Sequence, residues 1–379
     1  MLFFLVFNSF SVSTSLATSP EEKKSTVIKD QPIPVHPATL TKNVSEKLDS
    51  IFKRFNKRYD FHGSVLVAKN GKLIFNKEYG YADFNKKTKI HKNSAFQLAS
   101  VSKQFTAVGI LILFERGLLG LDDHVIKYFP DFPYKEITIR QLLNHTSGLP
   151  KYFWLAEHKW NKEKPPVNSE MIELISEYKL PLFFKPGSRF DYSNTGYLVL
   201  ASIIEEISGK DYGEFLEENI FKPLQMTNSF VYRFEQDQIE DSQLAGYRIY
   251  RRRYHLVISG TVNDAIVGDK NVYSTSEDLF RWINGLNSGK LISESALKLM
   301  YSKGETKYKR EIPYGFGFRI DDKNVEKIIY HKGKWNGFRT SLMQYTDSDL
   351  LVIALEHSSY NSMKYLNESV KTIVDQNFE

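Results

Sequence analysis

The chain has 379 residues, of which 41% are hydrophobic and 14% aromatic, so it can bury a large core and is not a disordered protein. It contains no cysteine, which excludes disulfides, cysteine-ligated zinc, thiol catalysis and a cysteine-linked lipid anchor. The 51 basic and 45 acidic residues give a net charge of only +6, which does not indicate a nucleic-acid-binding protein.

The first residues are typical of an export signal. Residues 2–7 are apolar, a Ser/Thr-rich stretch follows, and residues 15–17 offer a small-x-small cleavage site. We therefore predict a signal peptide over residues 1–17 and a secreted or periplasmic mature protein. No apolar run approaches the ~20 residues that span a bilayer, so no stable membrane span is predicted. Residues 18–41 are rich in Ser, Thr, Pro and Lys and are predicted to be a linker.

The main domain is predicted to begin at residue 42 with an amphipathic helix and a strand pair. Apolar residues recur every three or four positions over 43–59, as on one face of a helix. Two apolar strands, 63–68 and 73–79, flank Asn70-Gly71, a dipeptide that favours the positive φ angles of a tight hairpin turn. This pattern predicts a β-hairpin directly after the first helix.

The central part of the chain is predicted to be helical, and strand character returns near its end. The predicted helices cover residues 101–115, 139–143, 171–178, 197–207, 212–220 and 277–286, and a last helix covers 362–374. The predicted late strands cover residues 314–320, 327–331, 339–345 and 350–355. The fold class is therefore α/β plus all-α: an antiparallel sheet lobe (about 42–90 and 300–379) flanked by helices, with an inserted helical lobe (about 91–299). A cleft between two lobes is a usual position for an active site.

A Ser-x-x-Lys sequence, Ser100 to Lys103, opens the most apolar of the predicted helices. The three-residue spacing puts the hydroxyl and the ammonium on one helix face. Lysine can activate a serine only if burial and neighbours lower its pKa. The N-terminal end of the helix also offers the free N–H of Ser100 as an oxyanion donor. The same spacing recurs at Ser50, Ser176 and Ser295, where a solvated helix face is the better interpretation, so the motif alone is weak.

The surrounding segments resemble the serine β-lactamase and penicillin-binding-protein superfamily, in particular its class C β-lactamase, D,D-carboxypeptidase and esterase branch. The resemblance covers about residues 45–375. The segments that carry it, in chain order, are residues 96–106 around Ser-x-x-Lys, Leu-Leu-Asn-His-Thr-Ser-Gly-Leu at 142–149, Tyr-Ser-Asn at 192–194, Tyr-Ser-Thr-Ser-Glu-Asp-Leu at 273–279, Tyr-Gly-Phe-Gly at 314–317 and His-Lys-Gly at 331–333. The order of the set is much more specific than any one member, since a second Tyr-x-Asn occurs at 365–367.

The resemblance implies a serine acyl-hydrolase that acts through an acyl-enzyme at Ser100. Lys103 and Tyr192 would share the transferred protons, a phenol being useful as a base only when nearby positive charge lowers its pKa. Asn194, which has both a donor and an acceptor, would hold Lys103 and the substrate amide. The backbone N–H of Lys334 would be the second oxyanion donor, after a Gly333 that allows close approach to the strand edge.

The third motif departs from the Lys-Thr-Gly of β-lactamases and many transpeptidases. His331 occupies the position of that lysine, and a neutral imidazole binds a carboxylate less firmly than a fixed cation. Arg339 could supply the missing charge, although an exposed strand arginine is the simpler interpretation. Residues 268–271 carry side chains where relatives often have a glycine-rich run, which would reshape that wall of the cleft. These departures favour an esterase, a D-amino-acid peptidase or a D,D-carboxypeptidase over an efficient β-lactamase.

Other kinds of site are not supported. His145 could suggest a Ser-His-Asp triad, but the resemblance assigns it to a turn that ends a helix. The histidine spacings do not indicate a metal site, and phosphate- and dinucleotide-binding glycine motifs are missing, so no cofactor is predicted. The expected partner is a small-molecule or peptide acyl substrate, either an ester, a D-amino-acid peptide or a lactam, and the oligomeric state is not indicated. The alternative is a non-hydrolytic module that binds or senses penicillins or cell-wall peptides on the same fold.

Overall fold

The computed structural model describes residues 32–234, 242–251, 253–257, 261–323, 326–361 and 363–378. The predicted signal peptide and most of the predicted linker lie outside these residues. Residues Ile33–Glu379 form one compact unit. Within the described ranges, no helix combines the length and the apolar character that a membrane crossing requires.

The helices follow the apolar periodicity of the sequence. They are α1 (Ala38–Tyr59), α2 (Lys103–Glu115), α3 (Ile139–Leu143), α4 (Tyr152–Lys159), α5 (Asn168–Tyr178), α6 (Asn194–Ser208), α7 (Tyr212–Leu216), α8 (Lys222–Leu224), α9 (Ser276–Asn287), α10 (Glu294–Met300) and α11 (Met363–Asn377). Short 3-10 turns cover Ala99–Ser102 and Val125–Lys127, and a π-helical turn covers Glu217–Phe221.

The strands fall into one large sheet and several short pairings. They are β1 (Gly63–Lys69), β2 (Lys72–Tyr79), β3 (Tyr81–Asp83), β4 (Thr88–Lys89), β5 (Phe96–Gln97), β6 (Phe230–Val231), β7 (Tyr247–Tyr250), β8 (Arg253–Leu256), β9 (Val272–Ser274), β10 (Gly304–Glu305), β11 (Glu311–Ile312), β12 (Arg319–Asp321), β13 (Ile328–Trp335), β14 (Phe338–Tyr345) and β15 (Leu350–Glu356). Among the described residues, six of these strands form an antiparallel sheet in the order β12-β13-β14-β15-β1-β2.

The sheet joins the two ends of the domain. β1 pairs with β15, with Gly63 opposite Glu356 and Lys69 opposite Leu350, so the first strand of the sheet is hydrogen-bonded to its last. β15 is buried along its whole length because the sheet is covered on both faces. One face packs on α1 and α11 in a core that includes Phe52 and Val370, and the other packs on the large core of the helical lobe. The predicted fold class is confirmed.

Helix α2 is the centre of the helical lobe. All of its residues from Lys103 to Leu113 are buried, and α6 packs alongside it. Because this helix is apolar on every side, only its N-terminal end reaches the cleft beside the sheet. That end carries the predicted nucleophile segment.

Two boundaries differ from the sequence prediction. Helix α1 begins at Ala38, directly after Pro37, so residues 38–41 are helical and do not belong to the linker. The strand predicted over 314–320 is limited to β12, because the chain turns at Gly317, which has a φ of +76°, and Tyr314 bridges back to Arg319. This turn brings Arg319 to the edge of the sheet near β13.

Candidate active site

The predicted nucleophile and the predicted base lie next to each other at the N-terminal end of α2. Ser100 is on the 3-10 turn that precedes the helix, and Lys103 is the first residue of the helix itself. A hydrogen bond of 3.2 Å joins Nζ of Lys103 to Oγ of Ser100. Ser100 is half-buried, whereas Lys103 is completely buried. The three-residue spacing therefore produces the expected contact, although on a tighter turn than the predicted α-helix.

The residue before the predicted nucleophile has an unusual backbone conformation. Ala99 has a φ of +50°, which costs a residue with a Cβ roughly 1–2 kcal/mol. Two hydrogen bonds hold the preceding Leu98: its N–H donates to the carbonyl of Val272 at 2.8 Å, and its carbonyl accepts from Oγ1 of Thr340 at 2.7 Å. Strain of this kind persists only where the surroundings enforce it, and it is common at functional sites.

Lys103 is held in a position that suits a general base. Its Nζ also donates to the backbone carbonyl of Asp269 at 2.8 Å. Burial lowers the pKa of Lys103 to about 8; the Asp269 carboxylate opposes this shift and the Arg319 guanidinium adds to it. A lysine with this pKa is partly neutral near physiological pH, so it can accept a proton from a serine hydroxyl.

Tyr192 lies beside the lysine, with its ring centroid 5.0 Å from Nζ of Lys103. Burial raises the pKa of Tyr192 above its usual value, and the nearby Ser100 hydroxyl and Arg319 guanidinium only partly oppose this rise. The side chain is therefore a neutral phenol at pH 7. These charges suit Lys103, rather than Tyr192, to accept a proton, and the neutral phenol can donate one; the shared role of the two residues stays a prediction.

Asn194 is the first residue of α6, where the cap of the helix fixes the backbone. The side chain of Ser193 accepts a hydrogen bond from the N–H of Gly196. The N–H of Ser193 itself donates to Nδ1 of His145 at 3.1 Å. His145 is fully buried with a φ of +61°, and burial holds its pKa well below the usual value. It thus supports the backbone of the Tyr192–Asn194 segment.

Three buried polar atoms in this region have no hydrogen-bond partner among the described residues. They are the Tyr192 hydroxyl, Oδ1 of Asn194 and Nε2 of His145. An unpaired buried polar group costs about 1–3 kcal/mol, so such groups are rare unless a ligand or water completes them. Of these residues, Tyr192 lies beside Lys103 and Ser100, where an acyl substrate would bind.

The edge of β13 forms the opposite wall of the site. Only Ile328, Ile329 and Tyr330 pair with β12, so the strand edge from His331 onward is not covered by it. The strand ends in a two-residue turn at Asn336-Gly337 that pairs Trp335 with Phe338. Since the residues flanking such a turn form a hydrogen-bonded pair, the N–H of Lys334 points away from β14 and toward the free edge. This direction leaves the Lys334 N–H available for the predicted role of second oxyanion donor, which stays a prediction.

Gly333 leaves room for a neighbouring segment of the chain. A Cβ on Gly333 would lie 2.2 Å from the carbonyl oxygen of Leu98 and from Oγ1 of Thr340, and 3.0 Å from the Cβ of Ala99. The space beside Gly333 is therefore filled by the segment that carries Ser100. The missing side chain lets this segment approach the strand closely, and the predicted approach of the substrate beside Gly333 stays a prediction.

His331 does not present a free nitrogen to the cleft. It is 1% exposed, and its ring nitrogens bond the carbonyl of Lys332 (Nδ1, 2.9 Å) and the hydroxyl of Tyr314 (Nε2, 3.1 Å). Because a carbonyl can only accept, Nδ1 carries the proton and Nε2 accepts from Tyr314. Burial, Lys103 and Arg319 hold the pKa of His331 well below its usual value. The predicted contact between His331 and a substrate carboxylate is not supported, because the imidazole is neutral and fully engaged.

A second cation of the site is Arg319, for which no role was predicted from the sequence. Its Cζ lies 5.0 Å from the ring centroid of Tyr192 and 5.9 Å from that of Tyr314. No described carboxylate forms an ion pair with it. Arg339, the residue considered in its place, donates instead to the carbonyl of Phe338 and to Oδ1 of Asn361. A single basic residue in the apolar 314–320 segment was the signal that could have pointed to Arg319.

The side chains of residues 269–271 point into the protein rather than narrowing the cleft. Asp269, Lys270 and Asn271 are each at most 2% exposed. Nζ of Lys270 donates to the hydroxyl of Tyr152 at 2.7 Å and lies 3.4 Å from the Asp269 carboxylate, to which Tyr152 also donates at 3.1 Å. This group, the Asp269–Lys270–Tyr152 network, lies directly behind Lys103. These side chains, which were expected to reshape the cleft wall, form a buried charged network instead.

Comparison with known proteins identifies the family of the chain. A family model described as Beta-lactamase matches residues 48–373. Penicillin-binding protein 4* of Bacillus subtilis (strain 168) is 34% identical over 329 residues, which are 84% of this chain and 73% of the relative.

Solved structures show the same fold. FmtA from Staphylococcus aureus superimposes with a TM-score of 0.75 and 26% identity, over 92% of this chain and 93% of FmtA. A D-amino acid amidase from Ochrobactrum anthropi SV3, complexed with D-phenylalanine, superimposes with a TM-score of 0.72 and 21% identity, over 89% of this chain and 99% of the amidase. At the latter identity the likeness concerns the fold alone.

Proposed function

Because this chain belongs to the beta-lactamase family of serine hydrolases, we propose that it hydrolyses D-amino-acid peptides with a free terminal carboxylate through an acyl-enzyme at Ser100. The observation that carries the proposal is the hydrogen bond between Lys103 and Ser100, made by a buried lysine whose pKa is lowered to about 8. A binding module has no chemical need for a serine paired with a lysine that can be neutral. The non-hydrolytic alternative is therefore less well supported.

In the first step Oγ of Ser100 attacks the carbonyl carbon of the scissile amide, and the hydroxyl proton moves to Nζ of neutral Lys103. The N–H groups of Ser100 and Lys334 would stabilise the negative charge on the carbonyl oxygen. The carbon–nitrogen bond then breaks, with the leaving nitrogen receiving a proton from the Tyr192 phenol, which Lys103 reprotonates. In the second step water attacks the acyl-enzyme, Lys103 again takes the proton, and Ser100 leaves with it.

The charges favour a substrate with a carboxylate on its leaving group. Arg319 is half-buried beside Tyr192 and has no described anionic partner, so it can bind a carboxylate through charge-assisted hydrogen bonds. The 34% identical relative is named for binding penicillin. In penicillin the amide that opens has a carboxylate on the D-configured carbon next to its nitrogen. This chemistry supports a D-peptide more than a simple ester.

Two measurements test the proposal. A fluorescent penicillin or a fluorophosphonate should label the wild-type protein but not Ser100→Ala, and N-acetyl-D-Ala-D-Ala should be hydrolysed to free D-Ala. Equal labelling of both proteins, or no turnover of the dipeptide and of p-nitrophenyl acetate, would rule out the proposed enzyme.

The role of Arg319 is tested by a ratio, the kcat/KM for N-acetyl-D-Ala-D-Ala divided by that for p-nitrophenyl acetate, which has no carboxylate. Arg319→Ala should lower this ratio by roughly tenfold or more, as expected for loss of a charged contact. Arg339→Ala, the matched control two strands away on β14, should leave the ratio within about twofold. An unchanged ratio in Arg319→Ala would exclude carboxylate recognition by this residue.

A further inference from the structure

A cavity of about 270 Å³ opens beside Tyr192 and Asn194. Much of its wall is formed by Phe153, Phe183 and Phe184. We call it the aromatic cavity. Since a cavity of roughly 150 Å³ can hold benzene, the aromatic cavity is large enough for a branched or aromatic side chain.

The charges at the rim do not select a charged ligand. Lys151 and Asp191 line the opening, and both side chains are exposed to solvent. Their charges are opposite, so the rim carries no net charge from this pair. Beside the polar side chains of residues 193–195, the aromatic cavity offers a ligand the apolar surface of its phenylalanines.

The direction of β13 puts the aromatic cavity on the acyl side of the scissile bond. Arg319 is paired with Tyr330, at the start of the free strand edge. Lys334, whose N–H would bind the oxyanion, is four residues further, which is about 13 Å along a strand. Trp335 comes next, and its ring stacks on that of Phe153 with centroids 5.6 Å apart. A substrate whose leaving group is bound by Arg319 and whose acyl part follows the free edge of β13 would place that acyl part near Phe153.

Phe153 and Trp335 are held in place before any substrate binds. Nε1 of Trp335 donates to the buried carboxylate of Asp264 at 3.0 Å. The N–H of Tyr152, at the start of α4, donates to Oγ1 of Thr195 at 3.0 Å, directly after Asn194 in the chain. The first turns of α4 and α6 are thus tied together. A preformed apolar wall binds a side chain with little ordering cost.

We propose that the aromatic cavity binds the side chain of the residue that supplies the acyl group, and that it selects a bulky apolar side chain there. The proposal rests on the proposed function and deepens it by naming the substrate residue. A D-phenylalanyl or D-leucyl acyl group, for example, fills the cavity, whereas a D-alanyl group leaves most of it empty.

The test is the ratio of kcat/KM for N-acetyl-D-Phe-D-Ala to that for N-acetyl-D-Ala-D-Ala. Both peptides have the same leaving group, so the ratio depends on the acyl side chain alone. The wild type should prefer the phenylalanyl peptide by roughly tenfold or more, as is usual for filling an apolar pocket. Phe153→Ala should reduce the preference to about twofold. Trp154→Ala is the matched control, since the neighbouring ring is 43% exposed and stacks on His158, and it should keep the wild-type ratio.

A wild-type preference for the alanyl peptide, or an unchanged ratio in Phe153→Ala, would overturn the proposal. A second measurement does not depend on turnover. Titration calorimetry of the Ser100→Ala variant should show tighter binding of the phenylalanyl peptide, and the added Phe153→Ala substitution should remove this difference. If the wild type hydrolyses neither peptide but Ser100→Ala still shows the binding preference, the proposed function fails and the aromatic cavity stands. Equal binding of the two peptides overturns the cavity's role.

Discussion

Nζ of Lys103 donates a 2.8 Å hydrogen bond to the backbone carbonyl of Asp269, and this bond fixes the direction of the amine. A carbonyl can only accept, so one N–H of Lys103 always points toward Asp269. In the neutral form the nitrogen lone pair is then free to face Oγ of Ser100, 3.2 Å away. The loop that contains Asp269 thus orients the predicted base toward the predicted nucleophile.

The first prediction concerns pH. Only neutral Lys103 can accept the proton of Ser100, and its pKa is lowered to about 8. We therefore expect kcat/KM to rise with pH through an apparent pKa near 8 and to fall about tenfold per pH unit well below it. A pH profile with N-acetyl-D-Ala-D-Ala measures this, and Lys103→Met should lose at least about a hundredfold in kcat/KM. A profile that is flat between pH 6 and 9 would contradict the assignment of Lys103 as the base.

The second prediction concerns the two buried histidines near the site. Burial and nearby cations hold the pKa values of His145 and His331 well below the usual value of 6.5. Both rings are therefore neutral throughout the range in which Lys103 titrates. His331→Gln keeps a hydrogen-bonding side chain. This variant should have lower activity, but its kcat/KM should still rise with pH near pH 8. If the wild-type profile of kcat/KM has a further limb near pH 6–7 and this variant lacks it, the histidine titrates in catalysis.

The third prediction concerns Gly333. An added methyl group would clash with the carbonyl of Leu98, behind the segment that carries Ser100. We expect Gly333→Ala to cost about 1–3 kcal/mol of unfolding free energy and to reduce labelling of Ser100 by a fluorophosphonate at least tenfold. Gly209→Ala is the control, because Gly209 ends α6 with a φ of +65° and has open space around it. That variant should lose about 1 kcal/mol of stability and label normally. Normal labelling of Gly333→Ala would contradict the proposed contact.

The sequence predicts those parts of the fold and site that depend on local patterns. Apolar periodicity predicts α2 and α6, and the Asn70-Gly71 dipeptide predicts the turn between β1 and β2. The ordered motifs predict which of four Ser-x-x-Lys sequences belongs to the site. The helices and the turn form through interactions within a few residues along the chain. The choice among the Ser-x-x-Lys sequences depends on the family resemblance, because local spacing does not distinguish them.

The parts that could not be predicted depend on contacts between distant segments. Arg319 reaches Tyr192 only because the chain turns at Gly317, and Ala99 adopts a positive φ only because Val272 and Thr340 hold Leu98. The acceptor that orients Lys103 is a backbone carbonyl, which every residue has, so no residue type could signal it. The burial of residues 269–271 likewise follows from packing against Tyr152 on α4.

The last prediction concerns the Asp269–Lys270–Tyr152 network, whose charges adjust the pKa of Lys103 that burial lowers. The Asp269 carboxylate stabilises the charged form of Lys103, so Asp269→Asn should lower the Lys103 pKa and move the acid limb of kcat/KM to lower pH. Lys270, whose own pKa is lowered in part by Lys103, repels the same charge, so Lys270→Met should move the limb to higher pH.

Each single change also leaves one buried charge without its partner, which typically costs about 3–5 kcal/mol. Loss of stability alone therefore cannot identify the role of the network. The double variant Asp269→Asn with Lys270→Met removes both charges and keeps an acceptor for Tyr152, so it should recover much of the stability and return the limb toward the wild-type position. Opposite shifts in the two single variants, with partial cancellation in the double, are the signature of electrostatic control of Lys103. If all three variants keep the acid limb of the wild-type kcat/KM profile and differ only in a lower melting temperature, the network supports the fold and does not control the pKa of Lys103.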